Sequence, residues 1–243
     1  MRQINLIVKT FVITALLIIS GCGDSVEEIE VDEIEINEPN KENPSIRYLA
    51  LGDSYTIGQG VSESARWPVQ LSQQIEQESS LVVELDIIAQ TGWTTSNLIR
   101  AIESNDIDSA DYNLVSLLIG VNNQYQNKPF SLYEIEFDSL LQIAIEIAGE
   151  KGNVFVVSIP DYGVTPFGSS NSETIAKEID QYNSYAKSRC NDAEVPFIDI
   201  TSISRELGAS SGALAEDDLH PSGYQYSLWT DRILPRVLEL INE

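Results

Sequence analysis

From residue 46 to the C-terminus, short apolar runs bounded by Gly, Asp or Pro alternate with longer amphipathic stretches, and this alternation leaves few folds open. The short runs cover residues 46–51, 82–89, 113–119, 154–159 and 196–200. Helical spacing covers 68–78, 96–103, 131–148 and 173–189, with a last stretch over 223–242. Pro235 is expected to break or kink that last helix, because it lacks an N–H and crowds the preceding turn. Five strands alternating with helices predict an α/β fold, a three-layer α/β/α sandwich around a five-stranded, mainly parallel sheet. No internal repeat is visible, and residues 46–243 leave no room for a second folded domain. In such sheets ligands sit at the carboxyl ends of the strands, so the chemistry is expected there.

The first 45 residues read differently. Arg2 and Lys9 precede an apolar centre over residues 10–19, the pattern of a secretion signal over residues 1–21. That run is about half the roughly 20 residues needed to span a bilayer, which disfavours a membrane-spanning anchor. Ile19-Ser20-Gly21-Cys22 resembles a bacterial lipobox, and the resemblance implies cleavage before Cys22 and a diacylglyceryl thioether on its sulfur. Residues 22–45 then form a tether, dense in Glu and Asp from Glu27 to Glu35 and ending among Pro39 and Pro44. Like charges at that density repel, so an extended, solvated spacer is expected. Cys190 is the one other cysteine, which leaves no disulfide framework.

Charge narrows the partners. With 14 Lys and Arg against 38 Asp and Glu, the formal net charge is −24. Such a surface repels nucleic-acid phosphates and anionic headgroups, so no nucleic-acid partner is expected, and membrane contact rests on the lipid at Cys22.

Three strand ends and one late loop carry polar residues suited to catalysis. The first strand ends in Gly52-Asp53-Ser54-Tyr55, the second in Gln90-Thr91-Gly92-Trp93, the third in Gly120-Val121-Asn122-Asn123. Before the final helix stands Asp217-Asp218-Leu219-His220-Pro221. A serine hydroxyl is a weak nucleophile near neutral pH and needs an adjacent base. Histidine suits that task, and His220 is the one histidine of the chain. Gly92 allows a close backbone approach, and Asn122 offers a neutral donor that binds an oxyanion without competing for the proton.

Serine, glycine, asparagine and Asp-x-x-His in this order resemble the SGNH/GDSL hydrolase family across nearly all of residues 46–243. The resemblance implies a flavodoxin-like α/β/α fold and a serine esterase. It casts Ser54 as nucleophile, His220 as base and Asp217 as the acid that orients the imidazole. The backbone N–H groups of Ser54 and Gly92, with the Asn122 amide, are then the oxyanion hole. Asn123 stands where the family commonly has Asp, so a hydrogen-bonding group is kept and a charge is lost. Asp218 competes with Asp217, and the three-residue spacing, one helical turn, favours Asp217.

Other classes fit less well. An ordinary α/β-hydrolase needs Gly-x-Ser-x-Gly, and Thr56 stands where its second Gly belongs. Gly58-Gln59-Gly60 lacks the third glycine of a dinucleotide-binding loop. One histidine and one free cysteine in residues 46–243 are a poor ligand set for a metal centre, so no metal or cofactor is expected. A catalytically silent envelope-anchored binding domain is the non-enzyme reading. The expected substrate is a small-molecule or polysaccharide ester, short-chain or carbohydrate-borne, with lysophospholipids and thioesters as the rival class. The expected location is the bacterial cell envelope, lipid-anchored and facing away from the cytoplasm.

Overall fold

Three strands are buried on both faces, and this explains their unbroken apolar runs. They are β1 (Ser45–Gly52), β3 (Leu114–Leu118) and β4 (Val154–Val157). Central strands of a parallel sheet have helices on either side and no solvated face on which polar residues would alternate. β2 (Val82–Ala89) does alternate, with Glu84 and Asp86 exposed. It lies at the sheet edge, where charge discourages pairing with another chain. The computed structural model describes residues 44–105, 107, 112–149 and 153–242. The signal segment 1–21, Cys22 and the acidic run of the tether lie outside the described residues.

The sheet order is β2-β1-β3-β4-β5, with β5 at Phe197–Ile198, and every pairing is parallel. The chain steps outward from β1 to β2 and then returns to the other side of β1 for β3. The carboxyl ends of β1 and β3 therefore flank a crevice at the point where strand order reverses, the usual ligand position in such sheets.

Helices α2 (Trp67–Glu78) and α8 (Gly223–Leu240) pack together, while α3 (Thr95–Ser104), α5 (Phe130–Ala148) and α6 (Ser172–Ala193) pack in succession. Trp67 is fully buried, with its ring edge-on to Phe155 of β4 at 6.5 Å. The capping box Thr94/Asn97 starts α3, and the Ser222 hydroxyl caps α8 by accepting from the Gln225 N–H at 3.2 Å.

Two expectations are adjusted. α8 runs unbroken through Pro235. Pro235 and Asp231, whose carbonyl loses its helical donor, are both exposed, so solvent can take that bond. Trp229, Ile233, Val237 and Leu240 are buried on either side of the proline and hold the helix together. β5 is shorter than the run 196–200, because the Ile200 N–H turns to the Ser158 hydroxyl at 2.8 Å instead of continuing the ladder.

Candidate active site

The turn from β1 into α1 (Ser54–Ile57) sets Ser54 at the head of the sheet. Gly52 makes the turn feasible. A Cβ there would stand 2.1 Å from the Thr56 hydroxyl oxygen and 2.6 Å from the Leu118 carbonyl oxygen. Asp53 caps the short helix, its Oδ1 accepting from the Tyr55 N–H at 3.0 Å. Ser54 is buried and lines a cavity of about 260 Å³.

His220 lines the same cavity from the opposite end of the sequence. Its Nδ1 lies 2.6 Å from Asp217 Oδ2. Asp217 Oδ1 also accepts the backbone N–H groups of Leu219 at 3.1 Å and His220 at 2.9 Å. The segment is a turn rather than a helix, so the three-residue spacing works for a different reason than the sequence suggested. One carboxylate closes the turn and orients the ring together. Burial pushes the Asp217 carboxyl up, but the His220 ring, with the His220 and Leu219 N–H groups, outweighs it and holds the pKa below the ordinary value. Asp218 is exposed at φ +57° and does not contact the ring. Backbone bonds Ala215 N–H to His220 O (2.8 Å) and Ser222 N–H to Ala213 O (2.9 Å) fix the base of the loop. The Tyr55 ring meets the imidazole edge-on at 5.5 Å. Tyr55 was not among the candidate site residues, and its position beside Ser54 was the signal available.

Gly92, on the loop after β2, and Asn122, in the short helix after β3, complete the cavity. The glycine is needed for its backbone angle, φ +83°. Apart from its chain neighbours, no described residue has an atom within 4 Å of where a Cβ would stand, so crowding by the rest of the protein is not the reason. Helix α4 (Val121–Tyr125) and the residue after it reach across to the Gly92 loop three times. Asn122 Nδ2 donates to the Trp93 carbonyl at 3.0 Å, and Gln126 Nε2 donates to the Gly92 carbonyl at 3.2 Å. Asn123 accepts the Thr95 N–H at 3.0 Å and donates to the Thr95 hydroxyl at 2.6 Å. That hydroxyl in turn donates to Glu136. A carboxylate at position 123 has no hydrogen to offer Thr95, whose own hydrogen is committed, so the amide suits this network.

Residues 50–228 match the GDSL-like Lipase/Acylhydrolase family. The chain belongs to that family. As a GDSL hydrolase it is an esterase-type enzyme, and its fold agrees with solved relatives at low identity. A psychrotrophic esterase from Pseudoalteromonas sp. superposes with a TM-score of 0.61 at 16% identity, covering 82% of this chain and 100% of that one. An acetyl xylan esterase from Geobacillus stearothermophilus gives 0.61 at 19%, covering 79% and 94%. A lipase/acylhydrolase from Enterococcus faecalis gives 0.61 at 18%, covering 81% and 96%. A search of curated proteins by sequence returned no match.

In this GDSL hydrolase Thr91 is one further polar residue of the lining, and the remaining walls are mainly apolar, formed by Val121, Leu219 and the rings of Tyr55, Tyr125, Tyr162 and Phe167. The loop after β4 supplies the last two. Asp161 pins that loop, accepting the Gly163 N–H at 2.8 Å and the Arg205 guanidinium at 2.8 Å. Cys190 is a free, buried thiol whose pKa burial pushes up to about 12, which unfits it as a nucleophile.

Asp53 is fully buried beside Ser54, and burial pushes its carboxyl up to about 7, against the pull of the Tyr55 N–H and the Asn122 amide. A raised carboxyl pKa means that the folded chain keeps a proton that the unfolded chain releases. Stability should therefore fall as pH rises from about 4 to about 7, by a few kcal/mol at most. Asp217, with a lowered pKa, acts with the opposite sign and only as pH drops towards the acid side of about 4. Asp53→Asn, which mimics the neutral acid, should flatten the slope between about pH 4.5 and 7.5 in urea unfolding. An unchanged slope in the variant would mean that another group holds the proton.

Proposed function

We propose that this chain hydrolyses carboxylic esters through an acyl-enzyme on Ser54. The observation that carries the reading is the 2.6 Å contact between Asp217 and the one histidine of the chain, in a cavity that Ser54, Gly92 and Asn122 also line. His220 Nε2 takes the Ser54 proton as Oγ bonds to the carbonyl carbon, and the C=O electron pair moves onto oxygen. The N–H groups of Ser54 and Gly92 and the Asn122 amide receive that oxyanion. Asn122 Nδ2 donates to the Trp93 carbonyl, which fixes the orientation of the amide. Collapse breaks the bond to the alcohol oxygen, and His220 returns the proton to it. Water then repeats the sequence on the acyl-enzyme, releasing the acid and restoring Ser54.

The acyl group we assign is a short-chain one, seated against the apolar walls of the cavity of about 260 Å³. A fluorophosphonate probe tests the reading without knowledge of the substrate. It should leave one phosphonyl adduct, on the peptide that carries Ser54, with loss of fluoride. A folded protein that takes no adduct there would return the chain to the class of silent binding domains.

A further inference from the structure

An ester has two ends, and the apolar cavity accounts for one of them. Beside it lies a second cavity of about 330 Å³. Tyr125, Tyr162 and Phe167 line both, so a wall of three aromatic rings separates the two. The chemistry changes across that wall. The second cavity is lined by Gln124, Asn127, Asn171, Thr174 and Glu178, and among the described residues by no cationic one. Its structure is tied to the wall. The Tyr162 hydroxyl donates to Gln124 Oε1 at 2.8 Å, and Gln124 Nε2 donates to Glu178 at 2.7 Å. Tyr125 and Phe167 are 52% and 49% exposed, with ring centroids 5.8 Å apart, and so offer apolar faces to a ligand that bridges the cavities.

We infer that this polar cavity receives the alcohol part of the ester, and that the alcohol it fits is a sugar unit. The inference rests on the reading of Ser54 as the nucleophile. Amides both donate and accept, as sugar hydroxyls do, while Glu178 only accepts and so calls for hydroxyl donors. An alkyl alcohol would desolvate these groups without replacing their hydrogen bonds. A phosphorylated alcohol would face Glu178 within a chain of net charge −24. A neutral polyol avoids both penalties, and the exposed rings supply flat surfaces for its C–H faces.

Two acetyl esters that differ only in the alcohol test this in the full chain: p-nitrophenyl acetate and 6-O-acetylglucose. One variant combines Asn171→Ala with Thr174→Val, and a second, Thr174→Trp, fills the cavity. Both positions are exposed, and Asn171 makes no capping bond to α6, so folding should survive. Losing one or two hydrogen bonds should lower kcat/KM for the sugar ester by about tenfold or more, mainly through KM. The nitrophenyl ester should change by less than about twofold, since it needs none of these groups. Equal losses on both esters, no loss on the sugar ester, or a wild type that cleaves only the nitrophenyl ester would each overturn the inference and leave the esterase reading intact. A wild type that cleaves neither overturns both.

Discussion

Ser54→Ala should lower turnover of p-nitrophenyl acetate by roughly four to six orders of magnitude, with the melting temperature nearly unchanged. The size of the loss follows from the site. Without Oγ no acyl-enzyme forms, and His220 and Asp217 then have no proton to move between nucleophile and leaving group. What survives is binding plus the donors around Gly92 and Asn122, which in other serine hydrolases keeps about 10³–10⁴ over water. The buried methyl of alanine fits where the serine sits in α1, because Asp53 rather than Ser54 supplies the cap. Retention of more than about a tenth of wild-type kcat/KM, far above such residual rates, would remove Ser54 from the mechanism.

Asp217→Asn should cost about four orders of magnitude in kcat with little change in KM. An asparagine can still close the turn by accepting the Leu219 and His220 N–H groups. Its amide would then face Nδ1 and donate to it, which places the ring hydrogen on Nε2. That nitrogen can no longer accept from Ser54. Asp218→Asn is the matched control. It is exposed, sits at a positive φ that Asn tolerates, and should change kcat by less than about twofold. Comparable losses in the two variants would point to general loop damage instead of a lost orienting contact.

The sheet was legible because burial and hydropathy coincide in its strands. β4, Val-Phe-Val-Val, has no polar position to blur its period and is buried throughout. The long helices were legible for the same reason, to within a few residues. The short ones, α1, α4 and α7 (Thr201–Leu207), were not. Four to seven residues hold too few turns to show a 3.6-residue period. Yet α1 and α4 carry Ser54 and Asn122, so the elements that aim the site were the ones without a pattern. The candidate residues could still be found, because their order along the chain is set by the order of the strand ends. Local reasons were harder to read than identities. Asp217 reaches His220 through an Asx-type turn and not along a helical face, and Gly92 is a glycine because of φ +83°. Asn123 looked like a lost charge. Its donor hydrogen towards Thr95 depends on Glu136, 13 residues further on, which no local motif connects to it.

Asn122 and Asn123 of α4, with Gln126 just after it, fasten to Trp93, Thr95 and Gly92 at the turn that leads into α3. Two segments about 30 residues apart in the chain are thereby joined as one rigid piece. Water around a charge must reorient each time the charge appears, and that reorientation is a large part of the barrier in solution. On the proposed mechanism the corresponding dipoles are oriented once, when the chain folds, and successive turnovers inherit them.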